Sequence, residues 1–134
     1  MFVGMTNDRE AVSDLITRLY RLLDEQRFDE LGSVYAEDAE LVLPRGRGEL
    51  HGLDAVTAKA RERAEKYPRQ QHLNTDLVVE VDGDVARARG NHLAFHVEPS
   101  GTRADAGVVH HFEAARTPAG WRLKRVTGDL IWST

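Results

Sequence analysis

The chain has 134 residues, 41% of them hydrophobic and 30% charged, which suits one soluble globular domain with a buried core. A formal net charge of -4 and a pI near 5.8 argue against nucleic acid as the main partner, because a phosphate-binding surface tilts basic. With no cysteine, disulfides, thiolate nucleophiles and Cys-ligated zinc or iron–sulfur centres are excluded.

The opening Met1-Phe2-Val3-Gly4-Met5 is short and lacks basic residues, so it does not read as a signal peptide. No stretch approaches the apolar length of a membrane span, and the expected location is the cytoplasm. Asn7-Asp8-Arg9-Glu10 has the form of a capping box, and Val12, Leu15, Ile16, Leu19, Leu22 and Leu23 then recur at helical spacing. Phe28 to Tyr35 reads as a short second helix, and Ala39 to Leu43 as a strand stopped by Pro44. Arg45 to Gly52 lacks the spacing and lysine of a phosphate loop and reads as a turn-rich connection. Leu53 to Tyr67 is a third helix, whose charge run (Lys59, Arg61, Glu62, Arg63, Glu65, Lys66) reads as a solvated face.

After Pro68 the pattern changes to strands: Leu77–Val81, Val85–Val97, Gly107–Ala115 and Trp121–Thr127. Asp82-Gly83 between the first two is a hairpin signal, read as a turn with positive φ at both central residues. Helices followed by a mostly antiparallel meander give an α+β protein, with helices laid on one face of a curved sheet. Alternation places Ala86, Ala88, Gly90, His92, Ala94 and His96 on one face, and sends Val108, His110, Phe112 and Ala114 inward from the next strand. A face of Ala, Gly and His suggests a cavity more than a core of interlocking Leu and Ile.

His72 stands at the mouth of the first strand, in Arg69-Gln70-Gln71-His72-Leu73-Asn74-Thr75, and histidine can take and give protons near neutral pH. A general base of this kind needs a carboxylate to fix its tautomer, and Asp24, Glu25, Asp29 and Asp38 are all candidates. Helical geometry alone does not favour Asp24, which falls off the centre of the leucine stripe. A metal site is not expected. His92 and His96 would lie roughly 13 Å apart along a strand at about 3.3 Å per residue. Only a cross-strand set of His72, His92 and His110 remains conceivable.

The order of elements resembles the nuclear transport factor 2-like superfamily, and within it the SnoaL-like group that includes scytalone dehydratase and lindane dehydrochlorinase. The matching pieces run from about Asp8 to Trp132: Leu23-Asp24 before Phe28-Asp29-Glu30-Leu31, Tyr35-Ala36-Glu37-Asp38-Ala39, His51-Gly52, Gln71-His72-Leu73-Asn74-Thr75, Asp82-Gly83-Asp84-Val85-Ala86, Gly120-Trp121-Arg122-Leu123 and Asp129-Leu130-Ile131-Trp132. The resemblance implies one domain over residues 1–134, shaped as a cone-shaped α+β barrel with three N-terminal helices on a strongly curved sheet. It implies a buried catalytic dyad of Asp24 and His72. Pocket companions are His92, His96 and His110 by strand parity, with Tyr20 from the first helix and Asp129 from the last strand. Leu23 and Leu43 stand where scytalone dehydratase has two tyrosines, and Val108 and His110 replace its Ser/Asn pair, so that dehydration is not expected.

The resulting expectation is a cofactor-independent lyase, isomerase or cyclase acting on a hydrophobic, polyketide-like small molecule. The expected assembly is a homodimer formed through the outer sheet face (Arg87, Arg89, Asn91, Leu93, Phe95), with no metal, no nucleic acid and no membrane. The alternative is a non-catalytic binding or dimerising module of the same fold.

Overall fold

The computed structural model describes residues 7–134, so the Met1–Met5 stretch discussed above lies outside the described residues. Helix α1 (Asp8–Asp24) is capped by the Asn7 side chain, which accepts the Arg9 amide at 2.9 Å. Val12, Leu15, Ile16, Leu19 and Leu22 form its buried stripe. The helix ends at Gln26, held at φ 57°, and the Arg27 amide returns to the Leu22 carbonyl at 2.8 Å. The Gln26 side-chain amide donates to the Pro68 carbonyl at 3.1 Å, tying the helix end to the start of the third strand.

The second helical stretch is a 3-10 helix, Phe28–Ser33, and it stops before Tyr35. Tyr35 instead opens β1 (Tyr35–Val42), because Tyr35 and Ala39 turn inward and are fully packed. The turn-rich connection contains a 3-10 turn, Pro44–Gly46, and also a short strand, β2 (Glu49–His51), paired antiparallel to β1. Helix α2 spans Leu53–Lys66.

Four long strands follow: β3 (Arg69–Asp82), β4 (Val85–Val97), β5 (Arg103–Thr117) and β6 (Gly120–Ser133). The sheet order is β2-β1-β6-β5-β4-β3, all neighbours antiparallel except β1 with β6. The sheet curls around the helices without closing. His72 therefore lies inside β3 and not at its mouth, since pairing with β4 already begins at Arg69. In the β3–β4 turn only Gly83 has positive φ (60°), and the central residues are Gly83 and Asp84. This is the two-residue turn that needs glycine at its first central position alone.

Bulges bend the sheet. Asp76, at φ 54°, sits in the register shift between Thr75 and Val78 of β3, and β5–β6 shifts twice, at Gly107/Val108 and at Glu113/Ala114. At the second of these, Glu113 faces Arg125 and Ala114 faces Leu123, leaving Lys124 as the extra residue. The core closes one end of the cup, where the α1 stripe meets Phe112, Leu123, Leu31, Val34 and Val126.

Candidate active site

Past that core the inner face changes from branched aliphatics to small residues and histidines, and a cavity of about 520 Å³ opens. The helix-end tie through Gln26 and Pro68 brings the last turn of α1 against β3. Asp24 Oδ1 lies 2.5 Å from His72 Nδ1, and Asp24 Oδ2 accepts the His72 backbone N–H at 3.1 Å. The carboxylate thus grips one residue twice, fixing the ring plane and placing the proton on Nδ1. The His72 side chain is 8% exposed and that of Asp24 24%. His72 lines the cavity, and its Nε2 makes no hydrogen bond to any described residue.

Three further imidazoles stand beside it. His92 and His110 stack with ring centroids 4.3 Å apart, His92 lies 5.2 Å from His72, and His96 meets His72 edge-on at 5.5 Å. Each has one nitrogen engaged. His92 Nδ1 donates to Asn74 Oδ1 at 2.8 Å, and His96 Nδ1 donates to the Ala104 carbonyl at 2.9 Å. Both partners are acceptors, so Nε2 of each ring carries a lone pair. Among the described residues His96 Nε2 is buried without a partner. Tyr20, buried from α1, lies 2.9 Å from His110 Nδ1 through its hydroxyl and covers His92 at 4.6 Å.

Burial removes the charge from this wall. Desolvation first, then the neighbouring imidazoles, lower His92 to about 2. Desolvation lowers His96 to about 4, with the Arg63 charge adding to it and the Ala104 bond opposing, and lowers His110 to about 4. Burial likewise raises Tyr20 well above its ordinary value, so it remains a hydroxyl. At neutral pH these groups act as fixed neutral dipoles around His72.

Asp129 does not join them. Trp121 and Leu123 point inward, but the extra residue Lys124 reverses the alternation, so Val126, Gly128 and Leu130 face the cavity. Asp129 is turned outward and exposed, 3.3 Å from His111 Nε2. The ligand atoms of His72, His92 and His110 do not all fall within 4.8 Å of one another, and His92 stacks on both other rings. Among the described residues the group with ligand atoms within 4.8 Å of one another is Glu40, Glu49 and His51, on the exposed β1–β2 edge. Glu40 there already pairs with Arg125 at 2.5 Å.

Several lining residues carry no sequence expectation of a site. Helix α2 contributes Val56, Lys59, Ala60 and Arg63, a stripe at helical spacing continued by Tyr67 at its C-cap, so two members of the supposedly solvated charge run belong to the cavity. The Val56–Ala60 pair was the available signal. Leu23 and Leu43 also line it.

A SnoaL-like domain model matches residues 5–127. The chain belongs to this family. The uncharacterized protein Rv2910c of Mycobacterium tuberculosis is 28% identical over 133 residues, covering 92% of this chain and 85% of that one. Among solved structures, the hexachlorocyclohexane dehydrochlorinase LinA-type3 of Novosphingobium barchaimii is 21% identical, with a TM-score of 0.82 over 94% of this chain and 88% of that one. A protein of Novosphingobium aromaticivorans provisionally named a scytalone dehydratase is 18% identical, with a TM-score of 0.85 over 93% and 85% of the two chains. These likenesses show the nuclear transport factor 2-like fold. Among the described residues no helix is long and apolar enough to cross a membrane.

Proposed function

We propose that this SnoaL-like protein is a lyase, isomerase or cyclase that acts on a hydrophobic, ring-bearing small molecule by general acid–base chemistry, using only its own side chains. The observation that carries the reading is the Asp24–His72 pair at 2.5 Å, whose imidazole lines a cavity walled by neutral imidazoles while the carboxylate stands behind it. His72 Nε2 takes a proton from a carbon next to a carbonyl or a leaving group. Asp24 stabilises the imidazolium that forms, and the freed electron pair either makes a double bond as the leaving group departs or is held on the carbonyl oxygen.

The tautomers divide the remaining work. Tyr20 keeps its hydrogen and has one polar partner among the described residues, so it donates to His110 Nδ1, which leaves His110 with its proton on Nε2. His110 is then the group that polarises a substrate oxygen by donating a hydrogen bond from Nε2, whereas His92 and His96 accept from substrate hydroxyls. LinA-type3 and the provisional scytalone dehydratase, proteins of this fold named for eliminations, support that reaction class.

The test is a panel of hexachlorocyclohexane, β-halo and β-hydroxy cyclic ketones assayed with wild type, His72→Ala and Asp24→Asn. General-base loss is expected to lower turnover by about 10²–10⁴-fold with the circular dichroism spectrum unchanged. Turnover that survives His72→Ala would end the proposal. Tight binding with no product would favour a binding module instead.

A further inference from the structure

The cavity has a second chemical end, opposite in character to the imidazole wall. Its exposed lining residues mark the mouth: Arg45 and Arg47 from the loop after β1, Arg63 from α2, and Ser133 and Thr134 at the end of β6, with half-buried Lys59 beside them. All the charged side chains among these are cationic, and Arg45 donates to Ser133 Oγ at 3.1 Å, which leaves Arg47 and Arg63 as the guanidiniums of interest. In a chain of net charge -4, the one carboxylate side chain among the lining residues is Asp105, already tied to Arg103 at 2.8 Å. Lys59 has Glu62 at 3.5 Å. Arg63 has no carboxylate within ion-pair distance among the described residues, and desolvation first, then the like charge of Arg47, hold it below the ordinary guanidinium value against the opposing effects of Tyr67 and Glu62. Two guanidiniums facing one aqueous mouth repel each other unless an anion lies between them.

A second feature points to a ligand independently. Tyr67, one turn beyond Arg63 on the same stripe, has its ring 5.1 Å from His96, and His96 lies 5.5 Å from His72. This row leads from the mouth to the base, and midway along it stands His96 Nε2, a buried acceptor of a cavity-lining residue with no donor among the described residues. A buried polar atom left in that state is expensive unless an incoming molecule satisfies it.

We propose that Arg63 and Arg47 form an anion subsite at the cavity mouth, which holds a carboxylate of the substrate while its ring system extends past His96 to His72. The substrate class is thereby narrowed to cyclic or aromatic carboxylic acids bearing a hydrogen-bond donor. This rests on the cavity being the substrate site, but not on the proton-transfer step. A planar guanidinium fork matches a carboxylate in a way a lysine does not.

The experiment is calorimetric titration with 6-hydroxy-2-naphthoate and its uncharged isostere 6-hydroxy-2-naphthamide. Wild type is expected to bind the acid about tenfold more tightly at low ionic strength, the scale of one charge-assisted hydrogen bond, and to lose the preference as salt screens the mouth. Arg63→Gln and Arg47→Gln should each weaken the acid alone, and Arg63→Lys should restore part of the preference. Arg61→Gln should change neither, because Arg61 lies over the Phe28 ring and pairs with Asp29, outside the cavity lining. Acid bound no more tightly than amide by wild type, including no binding of either, overturns the subsite, and so does an equal loss of both in Arg63→Gln. His72→Ala separates the two readings. A preserved acid preference there keeps the subsite whatever turnover shows, and a lost one would place the anion on the imidazole and overturn it.

Discussion

Asp24→Asn is the sharpest perturbation of the site, because it keeps the shape and alters one donor–acceptor pattern. In the native site both carboxylate oxygens accept, one from the His72 ring and one from the His72 backbone amide, at 2.5 and 3.1 Å. Asparagine offers one acceptor and one donor group to the same two positions. If its oxygen faces the ring, its NH₂ meets the backbone N–H and one donor stays unpaired, at a cost of about 1–3 kcal/mol. If its NH₂ faces the ring, Nδ1 must become the acceptor and the proton moves to Nε2. The lone pair that should attack substrate then points at asparagine, and a wrong tautomer of this kind costs about 10⁴ in rate. Two assays separate these outcomes. Denaturant midpoints read the stability loss, and ¹⁵N imidazole shifts report which His72 nitrogen bears hydrogen without any substrate. The expected results are Nδ1–H in wild type, Nε2–H or a mixture in Asp24→Asn, and turnover down by about 10³–10⁴. Turnover within tenfold of wild type with an unchanged tautomer would refute the role given to Asp24.

Acid stability tests the neutral wall. His92, His96 and His110 are lowered by burial to about 2, 4 and 4 from 6.5, so between pH 6.5 and 4 the unfolded chain binds protons that the folded chain refuses. Stability should therefore be complete above pH 6.5 and fall as pH drops through that window, by several kcal/mol at about 1.4 kcal/mol per displaced pKa unit. Melting temperatures unchanged from pH 7 to 4.5 would show the rings to be hydrated. Gly107→Ala would put a methyl 2.1 Å from Trp132 Nε1, which must swing away, so urea midpoints should fall by about 1 kcal/mol or more; no change would mean the indole is not seated there. The outer sheet face exposes Leu73 and Val78 beside Leu93, which supports a two-fold pairing with a second copy. Sedimentation should find a dimer that Val78→Asp shifts toward monomer, and a monomeric wild type would remove that expectation.

What the sequence made legible was whatever depended on local alternation. Ala86 to His96 reads as one inward face because strict period two runs unbroken through β4, and all six residues are buried in the structure. Where a register slips, the same reasoning fails. Asp129 looks inward by counting from Leu123 and is carried outward by one extra residue, Lys124, whose bulge depends on pairing with β5. The Glu49–His51 strand was hidden for a related reason, since three residues acquire strand character only from their neighbour β1. The partnership of Asp24 with His72 spans 48 positions and runs through a helix end, Gln26 and Pro68, so periodicity could not select it from four carboxylates. Resemblance to the family did. Arg63 was misread because a charged helix face looks the same whether it meets bulk water or the mouth of a cavity.

The wall around His72 has a physical logic beyond the single dyad. Space in the cup comes from residues that have little side chain: Ala94, Ala104, Ala106 and Gly128 line the cavity where Leu or Ile would fill it. A Cβ at Gly128 would sit 3.0 Å from the His110 ring, so glycine there leaves that imidazole its edge on the cavity. Filling the freed volume with hydroxyl or carboxylate side chains would admit mobile protons. Imidazoles held neutral by burial, each with a nitrogen anchored, give fixed acceptors at His92 and His96 and a fixed donor at His110. One ring alone is backed by a carboxylate that welcomes positive charge. Under the proposed function, proton abstraction in such a cup would end stably in one place, His72, and the surrounding histidines would orient the substrate without competing for its proton.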